Sequence, residues 1–357
     1  MKIIGVDLHT RQQTIALLDD QTGELVEKQL THEGEQVREF YAGLPKPVLV
    51  GLEATGSMHW FLRLLEELGI EFRVGHPAKI RAAEPRKQKN DRRDARLLLT
   101  LLAENRFPAI WMPSREQHDL QILLRHRDQF VRIRTRVQLS LQALALSHGL
   151  RRGHALWTRT GQHTLRALPL APHAGEQRDT LLALCPQLQG PIDELDREVQ
   201  QETQQRPQSR RLMTHPGVGP ITALATEVFL GDPRRFVDGK SVASYVGMIP
   251  SERSSGRRPR FGRLSKQGNS LLRFLWGEAA IHAVRRDPEL RRFYGRKLVQ
   301  KGMGKARMAA ARKLGIRLWI MLRDEIDYTE FCRRGSLRRQ SSGVVHAGMP
   351  AGDSGLN

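Results

Sequence analysis

The sequence predicts two styles of architecture: an α/β layer over the first 110 residues, then a mostly helical remainder. Three observations carry that expectation. Short apolar runs alternate with helical patterns up to about residue 110. Long stretches with apolar residues at three- to four-residue spacing follow. The charge is also divided along the chain. Residues 1–110 hold 16 basic and 16 acidic residues, 111–205 hold 12 and 10, and 206–340 hold 30 and 11. A neutral first part and a strongly basic last part suggest a scaffold or catalytic domain followed by a polyanion clamp.

The elements follow in order. Lys2 to Val6, Thr14 to Leu18 and Glu24 to Leu30 read as three strands, with Asp19 to Gly23 a hairpin turn between the second and third. Residues 34–42 suit a short helix, and Pro47 to Leu52 a buried strand. Gly56 opens a helical pattern that carries Phe61, Leu64, Leu65 and Leu68, and Gly69 stops it. Glu71 to Val74 is a further strand, and residues 91–104 are helical. A long helix is expected over 115–148, and a second over 176–205 that Pro186 and Pro191 kink or interrupt. The pair could be an intramolecular hairpin or an intermolecular coiled coil. Residues 149–175, rich in Gly, His, Arg and Pro, read as the connecting loop. From Arg206 the chain is helical again, broken by Gly and Pro clusters, and 335–357 read as a disordered tail. The expected domains are thus 1–110, 111–205 and 206–334.

Composition removes several classes. The 357 residues carry 58 Lys and Arg against 38 Asp and Glu, a formal charge of +20, which argues for a polyanionic partner. Two cysteines, Cys185 and Cys332, make neither a disulfide framework nor a four-cysteine zinc site, and fit a reducing, cytoplasmic compartment. Asp7 comes too early for a signal peptide, and no apolar run nears the ~18 residues of a membrane span. The 13 histidines show no zinc spacing and read as surface residues, and no Walker loop or dinucleotide fingerprint is present.

Four acids stand out. Asp7 follows the first strand, where a cap or turn role would also explain it. Glu53 closes an apolar strand before Ala54-Thr55-Gly56, and needs a partner or an exposed site. Asp91 and Asp94 share one helix face, either as metal ligands or as a salt-bridged helix N-terminus. Taken together they form an oxygen-donor set suited to Mg²⁺, in the arrangement of RNase H-like nucleases.

The basic region contributes two further motifs. His215-Pro216-Gly217-Val218-Gly219-Pro220 is similar to a helix–hairpin–helix turn, in which Gly217 and Gly219 would let backbone N–H groups approach a phosphate; a plain tight turn also fits. Between Pro250 and Arg263, five arginines surround Ser254-Ser255-Gly256. Arg257, Arg258, Arg260 and Arg263, with Lys266, could hold phosphates, and a serine there could also serve as a nucleophile.

These segments, in this order, resemble the DEDD transposases of the insertion sequence 110 family, the bridge-RNA-guided recombinases. The resemblance runs from residue 2 to about 330. It rests on Ile4-Gly5-Val6-Asp7, Gly51-Leu52-Glu53-Ala54-Thr55-Gly56, Asp91-Arg92-Arg93-Asp94-Ala95-Arg96, Pro216-Gly217-Val218-Gly219, and Pro250 through Ser255-Gly256 to Ser265-Lys266-Gln267-Gly268-Asn269. The resemblance implies a RuvC-like, RNase H-fold first domain whose Asp7, Glu53, Asp91 and Asp94 bind one or two Mg²⁺ ions. It implies a helical coiled-coil insertion used in oligomerisation, and a helical transposase domain whose serine, matching Ser255, becomes covalently linked to DNA. It also implies donor and target DNA as partners, a structured guide RNA, a dimer or tetramer, and work in the bacterial cytoplasm at the nucleoid. The expected activity is recombination by Mg²⁺-dependent transesterification. A hydrolytic Holliday-junction nuclease, with water as nucleophile, is the alternative.

Overall fold

The computed structural model describes residues 1–83, 90–151, 153–252 and 260–335, and the chain divides into two units between Met112 and Pro113. In the first unit, β1 (Lys2–Leu8), β2 (Gln12–Asp19) and β3 (Leu25–Thr31) form an antiparallel meander. Helix α1 (Gln36–Ala42) leads to β4 (Val48–Glu53), α2 (His59–Glu67) to β5 (Glu71–Gly75), and α3 (Pro77–Ala83) and α4 (Asp91–Ala103) follow. Strand β4 lies parallel to β1, and β5 parallel to β4, giving the order β3-β2-β1-β4-β5. The alternation of short apolar runs with helical patterns therefore produces the expected α/β layer.

Both faces of this sheet are covered. One buries Ile4, Val6, Ile15, Leu52, Phe61 and Leu65 at essentially zero exposure. On the other, α4 contributes Ala95, Leu98, Leu99 and Leu102. Each buried leucine is worth roughly 1.5–3 kcal/mol. Two glycines bring α4 unusually close. A Cβ on Gly5 would lie 2.2 Å from the Ala95 carbonyl oxygen and 2.4 Å from the Leu99 nitrogen; one on Gly51 would lie 2.4 Å from the Leu102 side chain. The helix backbone thus rests directly on β1, and its N-terminal turn is carried to the end of the sheet where β1 and β4 finish.

The second unit opens with α5 (Arg115–Ser147), started by a capping box between Ser114 and Gln117. It packs against α7 (Pro172–Gln205), burying Val137, Leu141, Ala145, Leu182 and Leu188 between them. The two long helices are therefore a hairpin within one chain. Pro186 and Pro191 lie inside α7, which runs on through both instead of breaking. Packing of Leu182, Leu188, Ile192 and Leu195 outweighs the lost backbone bonds. The expected loop at 149–175 also contains structure: a 3₁₀ turn (Gly153–Trp157) and α6 (Arg159–Arg166), capped by Thr158.

The rest of the unit comprises α8 (Pro207–Met213), α9 (Pro220–Leu230), α10 (Gly239–Tyr245), β6 (Pro250–Glu252), β7 (Phe261–Leu264), α11 (Ser270–Arg286), α12 (Pro288–Lys301) and α13 (Met303–Arg323). Its core, around Leu224, Val228, Leu272, Trp276, Leu314 and Leu318, also takes in Leu120, Leu124 and Val199 from the hairpin. Trp276 is fully buried, donates its indole N–H to Thr226 Oγ1 at 2.9 Å, and lies where a Cβ on Gly315 would be 2.1 Å from its ring. No helix among the described residues is long and apolar enough to cross a membrane.

Candidate active site

Asp7 is the next-to-last residue of β1, and Glu53 is the last of β4. Val6 and Leu52 are paired across the parallel strands, so the two acids follow directly at the same sheet edge. Asp91 and Asp94 occupy the first turn of α4, whose cap Asn90 accepts a bond from the Arg92 N–H at 3.1 Å. The helix dipole favours acids there.

The geometry brings two of these four acids together with a histidine: Asp7, Asp91 and His9, each half-buried, offer ligand atoms all within 4.8 Å of one another. His9 Nε2 stands 3.1 Å from Asp7 Oδ2 and 3.4 Å from Asp91 Oδ2. Glu53 and Asp94, both partly buried, are outside that group among the described residues. Sequence reasoning misses His9, which it counts with the surface histidines. The signal was its position two residues after Asp7, because alternate residues of extended chain share a side. Two carboxylates and an imidazole at this separation suit a divalent cation, and the carboxylates suit a hard one.

In the second unit the segment His215 to Pro220 joins α8 to α9, as a helix–hairpin–helix turn would require. Gly217 has φ +85°, and a Cβ there would lie 2.4 Å from the Ala283 nitrogen, so this glycine also serves the close approach of α11. Gly219 caps α9 with open space around it, and Pro220 occupies the first helical position. Gly217 and Gly219 share a cavity of about 340 Å³ with His282, Arg285 and Arg286.

Beneath that turn is a buried ionic network. His215 is fully buried; its Nδ1 lies 3.0 Å from the Pro216 carbonyl oxygen, and its ring 4.6 Å from that of Tyr328. Burial pushes its pKa down to about 4. Asp287 pairs with Arg317 and accepts the Tyr328 hydroxyl at 2.7 Å. Burial alone would raise the Asp287 pKa; bonds from the Leu290 N–H, Tyr328 and Arg317 outweigh it and hold the carboxyl below its usual range.

Strands β6 and β7 pair as a hairpin, Pro250 with Leu264 and Glu252 with Phe261. Arg260, Arg263 and Lys266 are exposed on or beside β7. Ser254, Ser255, Arg257 and Arg258 lie outside the described residues.

Comparison with known proteins joins the two units in one family. Residues 4–148 match a family described as transposase, of the DEDD type, and residues 209–295 match the transposase IS116/IS110/IS902 family. A probable family 20 transposase of Pseudomonas aeruginosa is 32% identical over 79% of this chain and 84% of its own length. The chain belongs to the IS110 family of transposases. The transposase is also similar to that of insertion sequence element IS1111A from Coxiella burnetii, 24% identical over 92% of this chain and 91% of the relative. The transposase of IS1328 from Yersinia enterocolitica is 25% identical over 78% and 82%. The protein is thus an insertion-sequence enzyme acting on DNA, and its paired acids lie within the matched DEDD region.

Proposed function

We propose that this transposase cuts and rejoins DNA by transesterification through a serine–DNA intermediate, with Mg²⁺ at the acidic site of a RuvC-like, RNase H-fold first unit. The observation that carries the proposal is the convergence of Asp7 and Asp91, from a strand end and a helix start, on one point with His9. The three-strand antiparallel meander followed by two parallel strands supports the RNase H reading. Asp7 and Asp91 would hold the cation, with Glu53 and Asp94 at the same end of the layer completing the DEDD set. When bound, such an ion supplies Lewis-acid stabilisation of charge on the phosphoryl group.

The protein's own residues do the rest. Ser255 Oγ attacks the phosphorus; the Ser Oγ–P bond forms as a DNA P–O bond breaks, the serine loses its proton and the departing DNA oxygen gains one. One phosphodiester is exchanged for another, so reversal by a new DNA hydroxyl rejoins the strand without ATP. Arg257, Arg258, Arg260, Arg263 and Lys266 would hold phosphates, with Gly217 and Gly219 offering backbone N–H groups. Target choice would be delegated to base pairing with a structured guide RNA, and the working form would be a dimer or tetramer.

A trapping assay tests this. The full chain, co-purified RNA, Mg²⁺ and labelled DNA carrying the element junction are mixed and denatured. A labelled band at protein-plus-DNA mass is expected, absent in Ser255→Ala and in Asp91→Ala. Cleaved DNA without that band, unchanged in Ser255→Ala, would establish hydrolysis by water instead.

A further inference from the structure

A groove of about 610 Å³ in the second unit lies between one face of α5 and the first turn of α11. Helix α5 contributes Arg125, Arg132 and Arg136, which share a face at seven- and four-residue spacing. Gly268, Asn269 and Ser270 line the other side. The acid among the lining residues, Asp128, is committed to Arg132 at 2.7 Å. Arg125 bonds the Gln121 amide oxygen at 3.1 Å and lies 5.3 Å from the Phe229 ring, with no carboxylate partner among the described residues. Partial desolvation holds its pKa below the ordinary arginine value. Arg136 is exposed, and it too has no carboxylate partner among the described residues. A groove that concentrates cations without matching anions is built for an external one. Asn269 already caps α11 through the Leu272 N–H at 3.0 Å, so the arginines, rather than the helix end, carry the site.

Two further observations choose the anion. The three arginines span about 16 Å along α5. That matches four to five nucleotide steps at about 3.4 Å each, whereas a single small phosphate would touch only one or two of them. The Gly268 wall is also tied to the base of the β6–β7 hairpin: Ser265 N–H donates to the Ile249 carbonyl at 2.8 Å and Lys266 N–H to the Gly247 carbonyl at 3.1 Å.

We propose that this groove grips the sugar–phosphate backbone of the DNA on which the transposase acts, so that the root of the helical hairpin is a DNA-binding surface. The proposal rests on DNA as the substrate and is independent of the serine mechanism. Contacts of this kind are electrostatic and indifferent to base sequence.

The test measures binding of the full chain to a labelled duplex of the element end, by fluorescence anisotropy over a salt series. Arg136→Gln is expected to weaken binding by about fivefold and to reduce the slope of log affinity against log salt by about one. Arg125→Gln with Arg136→Gln should reduce it by about two. Arg136→Lys should restore most of the slope, a rescue that a packing role would not give. Arg197→Gln, on α7 and outside the groove, should match wild type. Equal slopes in wild type and Arg136→Gln would overturn the groove while leaving the transposase mechanism intact. A loss confined to the affinity for co-purified RNA would also overturn it. A wild-type chain without affinity for element-end DNA would overturn both the groove and the proposed function.

Discussion

At the scale of single residues, the chemistry concentrates on groups that face one another across short distances. Asp91→Asn removes one of the two carboxylates that meet at His9. Because a metal site supplies several kcal/mol of charge stabilisation, strand cleavage should fall by at least about 100-fold. DNA affinity measured without divalent ions should stay within about twofold, and loss of both together would point to a folding defect instead. His215 gives a pH prediction. The unfolded chain takes up its proton near the ordinary 6.5, the folded chain only at about 4. Between these values the unfolded state binds more protons, so stability is fully present above pH 6.5 and is lost as pH falls toward 4, by roughly 3 kcal/mol. Urea unfolding at a series of pH values checks this. His215→Phe, which keeps the ring beside Tyr328, should flatten the dependence; an unchanged pH profile in that variant would assign the effect to other groups. The strand-end and helix-start positions of the four acids were legible in sequence, and the structure groups two of them, Asp7 and Asp91. His9 was not legible, because its role depends on where β1 directs the residue after next.

At the scale of elements, glycine and proline had different outcomes. The five strands of the first unit were legible from apolar period and turn residues, whereas α3 and the short strands β6 and β7 were not. Less legible was what Gly5 does. It reads as part of a strand motif, yet its missing side chain is what allows α4 to rest on β1. Gly5→Ala is expected to lower stability by about 1–3 kcal/mol through overpacking, seen as a lower melting temperature, and to reduce cleavage further by displacing Asp91. A variant with wild-type melting and activity would mean that α4 shifts freely. Pro186 was read as a kink or an interruption; the interruption did not occur, because local propensity was weighed without the buried face that α7 presents to α5. As Pro186 is exposed inside a continuous helix, Pro186→Ala should stabilise the hairpin by on the order of 1–2 kcal/mol, after allowing for the greater freedom of the unfolded chain. A fall in melting temperature would show that the helix has adapted around the ring. The short helix α6 was hidden in a polar stretch, its one signal being Thr158 three residues before Gly161.

At the scale of the whole molecule, neutral and basic parts of the chain divide the work. The acids belong to the first unit and the basic excess to the second. Under the proposed mechanism, several copies would assemble and the acids of one chain would serve the serine of another. Mixing Asp91→Ala chains with Ser255→Ala chains, each inactive alone, should restore covalent DNA capture; continued inactivity of mixed oligomers would place acids and serine of the same chain together. The division of charge was legible from composition, but the grouping of the long hairpin with the basic unit was not, since it depends on Leu120, Leu124 and Val199 packing into a distant core. The contact at Gly5 has a last consequence, for the decay of mobile elements in genomes. A substitution at position 5 leaves all the proposed catalytic residues in place. A copy that keeps the four acids and Ser255 but has gained a methyl group at position 5 would look intact by those residues and is expected to cut DNA poorly.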